Sequence, residues 1–87
     1  MLLALDIGNT SVHVGLFEGS DLTATWRLNV ETERSADEYG VLLMSLLSTS
    51  NFTEEAIDAC IIGCDVPPML PTFQSVSERY FDVTAMV

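Results

Sequence analysis

The chain has 87 residues, 48% hydrophobic and 18% charged, which excludes a disordered segment and leaves room for one domain with a modest core. Its 13 acidic residues against 3 basic ones give a net charge of −10, which argues against nucleic acid or an anionic membrane as a partner, since both need a basic surface. No run approaches the ~20 apolar residues of a membrane span, and no positive charge precedes Leu2-Leu3-Ala4 to make a secretion signal, so a reducing, cytoplasmic setting is expected.

In chain order, the apolar run Leu2-Leu3-Ala4-Leu5 predicts a first strand that ends on Asp6 and turns at Gly8-Asn9-Thr10. Val12, Val14 and Leu16 then alternate with His13, Gly15 and Phe17, a period of two that predicts a second strand. Glu18-Gly19-Ser20-Asp21 is a turn. Leu22, Ala24, Trp26 and Leu28 alternate with Thr23, Thr25 and Arg27 as a third strand, and the short connections make the three an antiparallel meander.

The period then changes. Tyr39, Leu42, Leu43, Leu46 and Leu47 form the stripe of an amphipathic helix, opened by a Ser35…Glu38 capping box and closed by Ser48-Thr49-Ser50-Asn51. Thr53-Glu54-Glu55-Ala56 has room for one further helical turn. The nearly continuous apolar run 59–64 predicts a strand covered on both faces, as in a parallel sheet. After Val66-Pro67-Pro68, the residues Leu70, Phe73, Val76 and Tyr80 mark a second helix with Pro71 in its first turn, and 81–87 complete a fifth strand. The order βββαβαβ is that of one half of a ribonuclease H-like α/β fold. The apolar end, Ala85-Met86-Val87, carries no turn signal, which predicts a chain cut through or just after a strand.

The most informative segment is Asp6-Ile7-Gly8-Asn9-Thr10-Ser11. A strand ends at a carboxylate, Gly8 lets the backbone turn and approach a ligand closely, and Asn9, Thr10 and Ser11 add side-chain donors beside the N–H groups of the turn. That is the layout of a phosphate-binding hairpin. A magnesium ion bridging nucleotide phosphates needs only one or two protein carboxylates, so Asp6 alone suffices to hold it through water. The chain has no lysine, which excludes the lysine-bearing phosphate loop and leaves backbone N–H groups, hydroxyls and metal to bind phosphate. An ordinary hairpin turn is the alternative, since Asp, Gly and Asn populate turns generally.

Leu5-Asp6-Ile7-Gly8-Asn9-Thr10, Gly15-Leu16-Phe17, Trp26-Arg27-Leu28, Glu33-Arg34-Ser35-Ala36-Asp37-Glu38-Tyr39 and Val66-Pro67-Pro68 together resemble the type III pantothenate kinases. These belong to the superfamily of acetate and sugar kinases, heat-shock ATPases and actin. The resemblance implies an actin-like ATPase fold in which residues 1–87 are the first, N-terminal domain and the second domain is absent. It implies ATP-dependent phosphorylation of pantothenate, the first step of coenzyme A biosynthesis, with ATP bound by Asp6, Ile7, Gly8, Asn9, Thr10, Ser11, Val12 and His13 and with Mg2+ held at Asp6. A monovalent cation, K+ or NH4+, and a cytosolic homodimer are implied for the complete enzyme. The family's Gly-x-Asp-Arg segment, with its general base, has no counterpart here, so no catalytic residue is expected in this chain and the isolated chain is expected to be inactive. Two rivals are a nucleotide-binding accessory fragment without catalysis and a non-functional remnant.

Other polar residues have plainer readings. His13 alternates with valines and reads as structural or solvent-facing, although the family's nucleotide segment runs as far as this position. Arg34, Asp37 and Glu38 open a helix, where acidic residues complement the dipole; the resemblance leaves open that Arg34 or Asp37 faces an interdomain cleft. Cys60 and Cys64 lie four apart on one strand, ~13 Å along it, too far for a disulfide, and read as buried structural thiols. Trp26 reads as core. Asp65 follows a strand predicted to be buried, where a charge must be solvated or paired, and Gly63-Cys64-Asp65 departs from the small hydroxyl and aliphatic residues usual in the family.

Overall fold

A computed structural model describes residues 1–87. The alternation of the first thirty residues produces three strands, β1 (Leu2–Ile7), β2 (Ser11–Glu18) and β3 (Asp21–Asn29), paired antiparallel in sequence. A fourth strand, β4 (Ala59–Cys64), joins the other side of β1 in parallel, giving the order β3-β2-β1-β4. The register aligns Leu3 with Leu16 and Cys60, Leu5 with Val14 and Ile62, and Ile7 with Val12. These eight side chains share one face, and all are buried.

Helices α1 (Ala36–Thr49) and α2 (Leu70–Tyr80) cover that face. The start of α1 follows from its capping box: Ser35 Oγ accepts from the Glu38 N–H at 3.1 Å, and the Glu38 carboxylate accepts from the Ser35 N–H at 3.0 Å. Those bonds hold the Glu38 carboxyl below its ordinary range, the Ser35 backbone donor contributing most. Tyr39, Leu43 and Leu47 of α1 and Phe73 and Val76 of α2 complete the core, with the Tyr39 and Phe73 rings 4.6 Å apart between centroids. Gly40 permits the close approach of Tyr80 on α2 to α1. A Cβ there would lie 2.4 Å from a Tyr80 ring carbon, so the helices meet where α1 has no side chain. Outside the contact, Asp37 binds both Arg79, at 2.8 Å, and the Tyr80 hydroxyl. Single 3-10 turns at Glu54–Ala56 and Pro67–Met69 lead into β4 and α2, and Pro71 falls in the first turn of α2 as expected.

Three sequence expectations are corrected. The apolar run 59–64 forms a strand, but it is covered on one face only: Cys60 and Ile62 are buried, whereas Ile61 is 42% exposed and Gly63 is open. Both helices lie on the same side and β4 is the last strand of the ladder, so nothing in this chain packs on its outer face. The fifth strand over 81–87 reduces to one parallel bridge, Ile61 with Met86, made by an Ile62 N–H to Met86 carbonyl bond of 2.8 Å and a Met86 N–H to Cys60 carbonyl bond of 2.9 Å. The reason is visible upstream, where Asp82 takes a positive φ of 56° and Val83 is held to Ser77 by both its N–H and its carbonyl. The chain thus reaches the edge of β4 only at its last residues. Trp26 is half-buried, opposite Val14, and not fully core. No helix is long and apolar enough to cross a membrane.

Candidate functional site

The sheet face opposite the helices is open, and the registers decide what stands on it. Asp6 is paired with His13 on β2 and with Gly63 on β4, and His13 is paired in turn with Arg27 on β3. Side chains in register share a face. The row Arg27, His13, Asp6, Gly63 therefore crosses all four strands at the end of the sheet where β1 runs into the turn. Asp6, His13 and Arg27 are exposed. Behind them lies a shallow depression of about 620 Å³ lined by Ala4, Asp6, His13, Gly15, Thr25 and Arg27 among others.

The turn is closed by a Gly8 N–H to Ser11 carbonyl bond of 2.9 Å and held at its outer side by the Val30 N–H on the Thr10 carbonyl at 3.0 Å. Its other flank is tied to β4 by the Asp65 N–H, which reaches the Ile7 carbonyl at 2.9 Å. The exposed Asn9 and Thr10 find no acceptor for their N–H groups within the chain. Neither ion pair of the chain involves Asp6, and its carboxylate takes no hydrogen bond. The result is a tethered turn with free donors beside a free carboxylate, an arrangement suited to an anion carried with a metal ion.

Space around that carboxylate is set by Gly63. A Cβ at Gly63 would stand 3.7 Å from Asp6 Oδ1, so glycine leaves the flank clear for a hydrated ion. No group of three or more His, Cys, Asp or Glu side chains comes together to enclose a metal. The donor set fits a magnesium ion that keeps most of its water, and does not fit a fully protein-ligated one.

The eight positions expected from the sequence divide in two. Asp6, Asn9, Thr10 and His13 are exposed at the turn or on the open face, and Gly8 and Ser11 are half-buried within it. Ile7 and Val12 are both 0% exposed toward the helices, so only their backbone faces the turn. Arg34 lies elsewhere, with its guanidinium 5.3 Å from the Tyr39 ring centroid and one nitrogen 3.4 Å from the Asn29 carbonyl, and Asp37 is engaged by α2. Asp65 is exposed and so solvated. Burial pushes the Cys60 thiol up, with the nearby Ser77 hydroxyl opposing the effect, and the Cys64 thiol donates to the Val66 carbonyl at 3.1 Å. Cys60 is buried and Cys64 half-buried, and both are free. Arg27 on β3 completes the open-face row beside His13. Its open-face parity acquires meaning only once the register sets it there.

A family model described as type III pantothenate kinase matches residues 2–87. Among curated relatives, the type III pantothenate kinase of Syntrophus aciditrophicus is 42% identical over 87 residues, covering 100% of this chain and 34% of that protein. The type III pantothenate kinase of Roseiflexus castenholzii is likewise 42% identical, with 100% and 34% covered. That of Solibacter usitatus is 44% identical over 86 residues, with 99% and 33% covered. The chain thus spans about a third of the length of the curated relatives it matches.

Proposed function

The chain belongs to the type III pantothenate kinase family, and from that premise we propose that it supplies the ATP-phosphate and magnesium-binding half of an enzyme that phosphorylates pantothenate, the first step of coenzyme A biosynthesis. The observation that carries this reading is the free Asp6 carboxylate beside a tethered turn whose Asn9 and Thr10 N–H groups lack acceptors. The bonds that tether the turn, Gly8 N–H to the Ser11 carbonyl, Val30 N–H to the Thr10 carbonyl and Asp65 N–H to the Ile7 carbonyl, support reading it as preorganised.

Phosphoryl transfer asks a protein chiefly for positioning and charge stabilisation. Asp6 would hold magnesium through its water shell, and the bound ion would neutralise charge on the phosphate oxygens. Backbone N–H groups of the turn, with the Asn9, Thr10 and Ser11 side chains, would bind the phosphates where negative charge grows in the transition state. Ile7 and Val12 would act through their backbone while their side chains anchor the turn to the core. No residue of this chain is assigned as general base, and a cytoplasmic homodimer is proposed for the complete enzyme only.

Fluorescent ATP titrated into the chain with magnesium and then with excess chelator tests this reading. Binding that weakens on chelation, with no pantothenate-dependent release of ADP, is the expected outcome. Metal-independent binding, or turnover at the rate of a complete family enzyme, overturns it.

A further inference from the structure

The chain has three cations besides its terminus, and two are already engaged. Arg79 pairs with Asp37 at 2.8 Å, and Arg34 lies over the Tyr39 ring. Arg27 has neither a carboxylate nor an aromatic partner, in a chain whose net charge is −10. Its one side-chain bond is from Nε to Ser11 Oγ, at 2.9 Å. Ser11 also accepts the Gly8 N–H that closes the turn. The guanidinium is thus tied by one edge to the turn itself, and its two Nη groups remain as donors.

Strand spacing fixes the rest. Arg27 and Asp6 flank His13 two strands apart, roughly 10 Å between backbones, with the turn between β1 and β2 at the end of that gap. The Asp6 carboxylate on one side and an oriented guanidinium on the other set opposite charges on either side of the exposed His13. Guanidinium presents a planar fork of donors suited to phosphate oxygens. From this geometry, and resting on the reading of the turn as a phosphate site, we propose that Arg27 binds the polyphosphate of the magnesium nucleotide and provides there the positive charge that no lysine supplies.

Isothermal titration of the chain with Mg·ATP, comparing wild type, Arg27→Gln, Arg27→Lys and Asp6→Ala, decides the matter. A charged donor lost from a phosphate contact lowers affinity about ten- to a hundredfold, and Arg27→Gln is expected to fall in that range with its binding stoichiometry retained. Arg27→Lys, which keeps the charge but not the fork, is expected between the two. Stoichiometry separates the cases, because loss of folded protein removes sites whereas loss of a contact weakens each one. Wild-type affinity in Arg27→Gln and Arg27→Lys, alongside lost binding in Asp6→Ala, overturns the role of Arg27 and leaves the phosphate turn standing. Wild-type chain that takes up no Mg·ATP overturns both.

Discussion

The two faces of the sheet come from the same strands and answer to different demands. On the helix side Leu3, Leu5, Ile7, Val12, Val14 and Leu16 meet hydrocarbon from α1 and α2 and are 0–2% exposed. On the other side the intervening positions carry Asp6, His13 and Arg27 at the turn end, and Ala4, Phe17, Leu22 and Ile61 farther along. A two-residue period lets one segment satisfy both demands, with the core built by one parity and polar groups left exposed by the other. Ile7 and Asp6 show the division at its sharpest: adjacent in sequence, one is sealed in the core and the other exposed.

The comparison predicts that helix-side substitutions cost stability and open-face substitutions cost binding. The largest expected effect is Phe73→Ala, which removes a fully buried ring from its contact with Tyr39 and should lower unfolding free energy by about 3–5 kcal/mol in urea titrations. For a domain of this size that is a large share of the total. Gly40→Ala comes next: adding a methyl where Tyr80 already lies should cost about 1–3 kcal/mol as the helices separate, read as a fall in urea midpoint. Unchanged midpoints would mean that the helices are not held as described.

A smaller effect is expected at the helix cap. Ser35→Ala should cost about 1 kcal/mol and also alter the acid limb of stability. Folding depresses the Glu38 pKa below its unfolded value of 4.5, so its contribution is present above that value and is lost as pH falls through the lower, folded one. With Ser35 Oγ gone, part of that depression disappears, and urea midpoints measured from neutral to acidic pH should fall less steeply than in the wild type.

Much of this was legible in the sequence because it is local. Alternation placed β1, β2 and β3, the Ser35…Glu38 spacing placed the start of α1, and the Asp6–Ser11 string marked the turn. What escaped was non-local. The apolar run of β4 does not say which of its faces meets a helix, so Ile61 was expected to be covered and is not. The segment after Phe81 has strand-like residues, yet Ser77, on a different element, captures Val83 and leaves only Met86 to pair. Arg27 reads as an unremarkable strand arginine until two registers and a side-chain bond bring it to the turn.

The central claim is that Asp6 and the adjoining turn take up a metal-complexed nucleotide. Calorimetric titration of Mg·ATP into the folded wild-type chain and into Asp6→Ala tests it most directly, because Asp6 is exposed and unpartnered, and its removal should leave the melt unchanged. The account predicts heat of binding for the wild type and none for the variant. Equal binding by both, or none by a folded wild type, would contradict it.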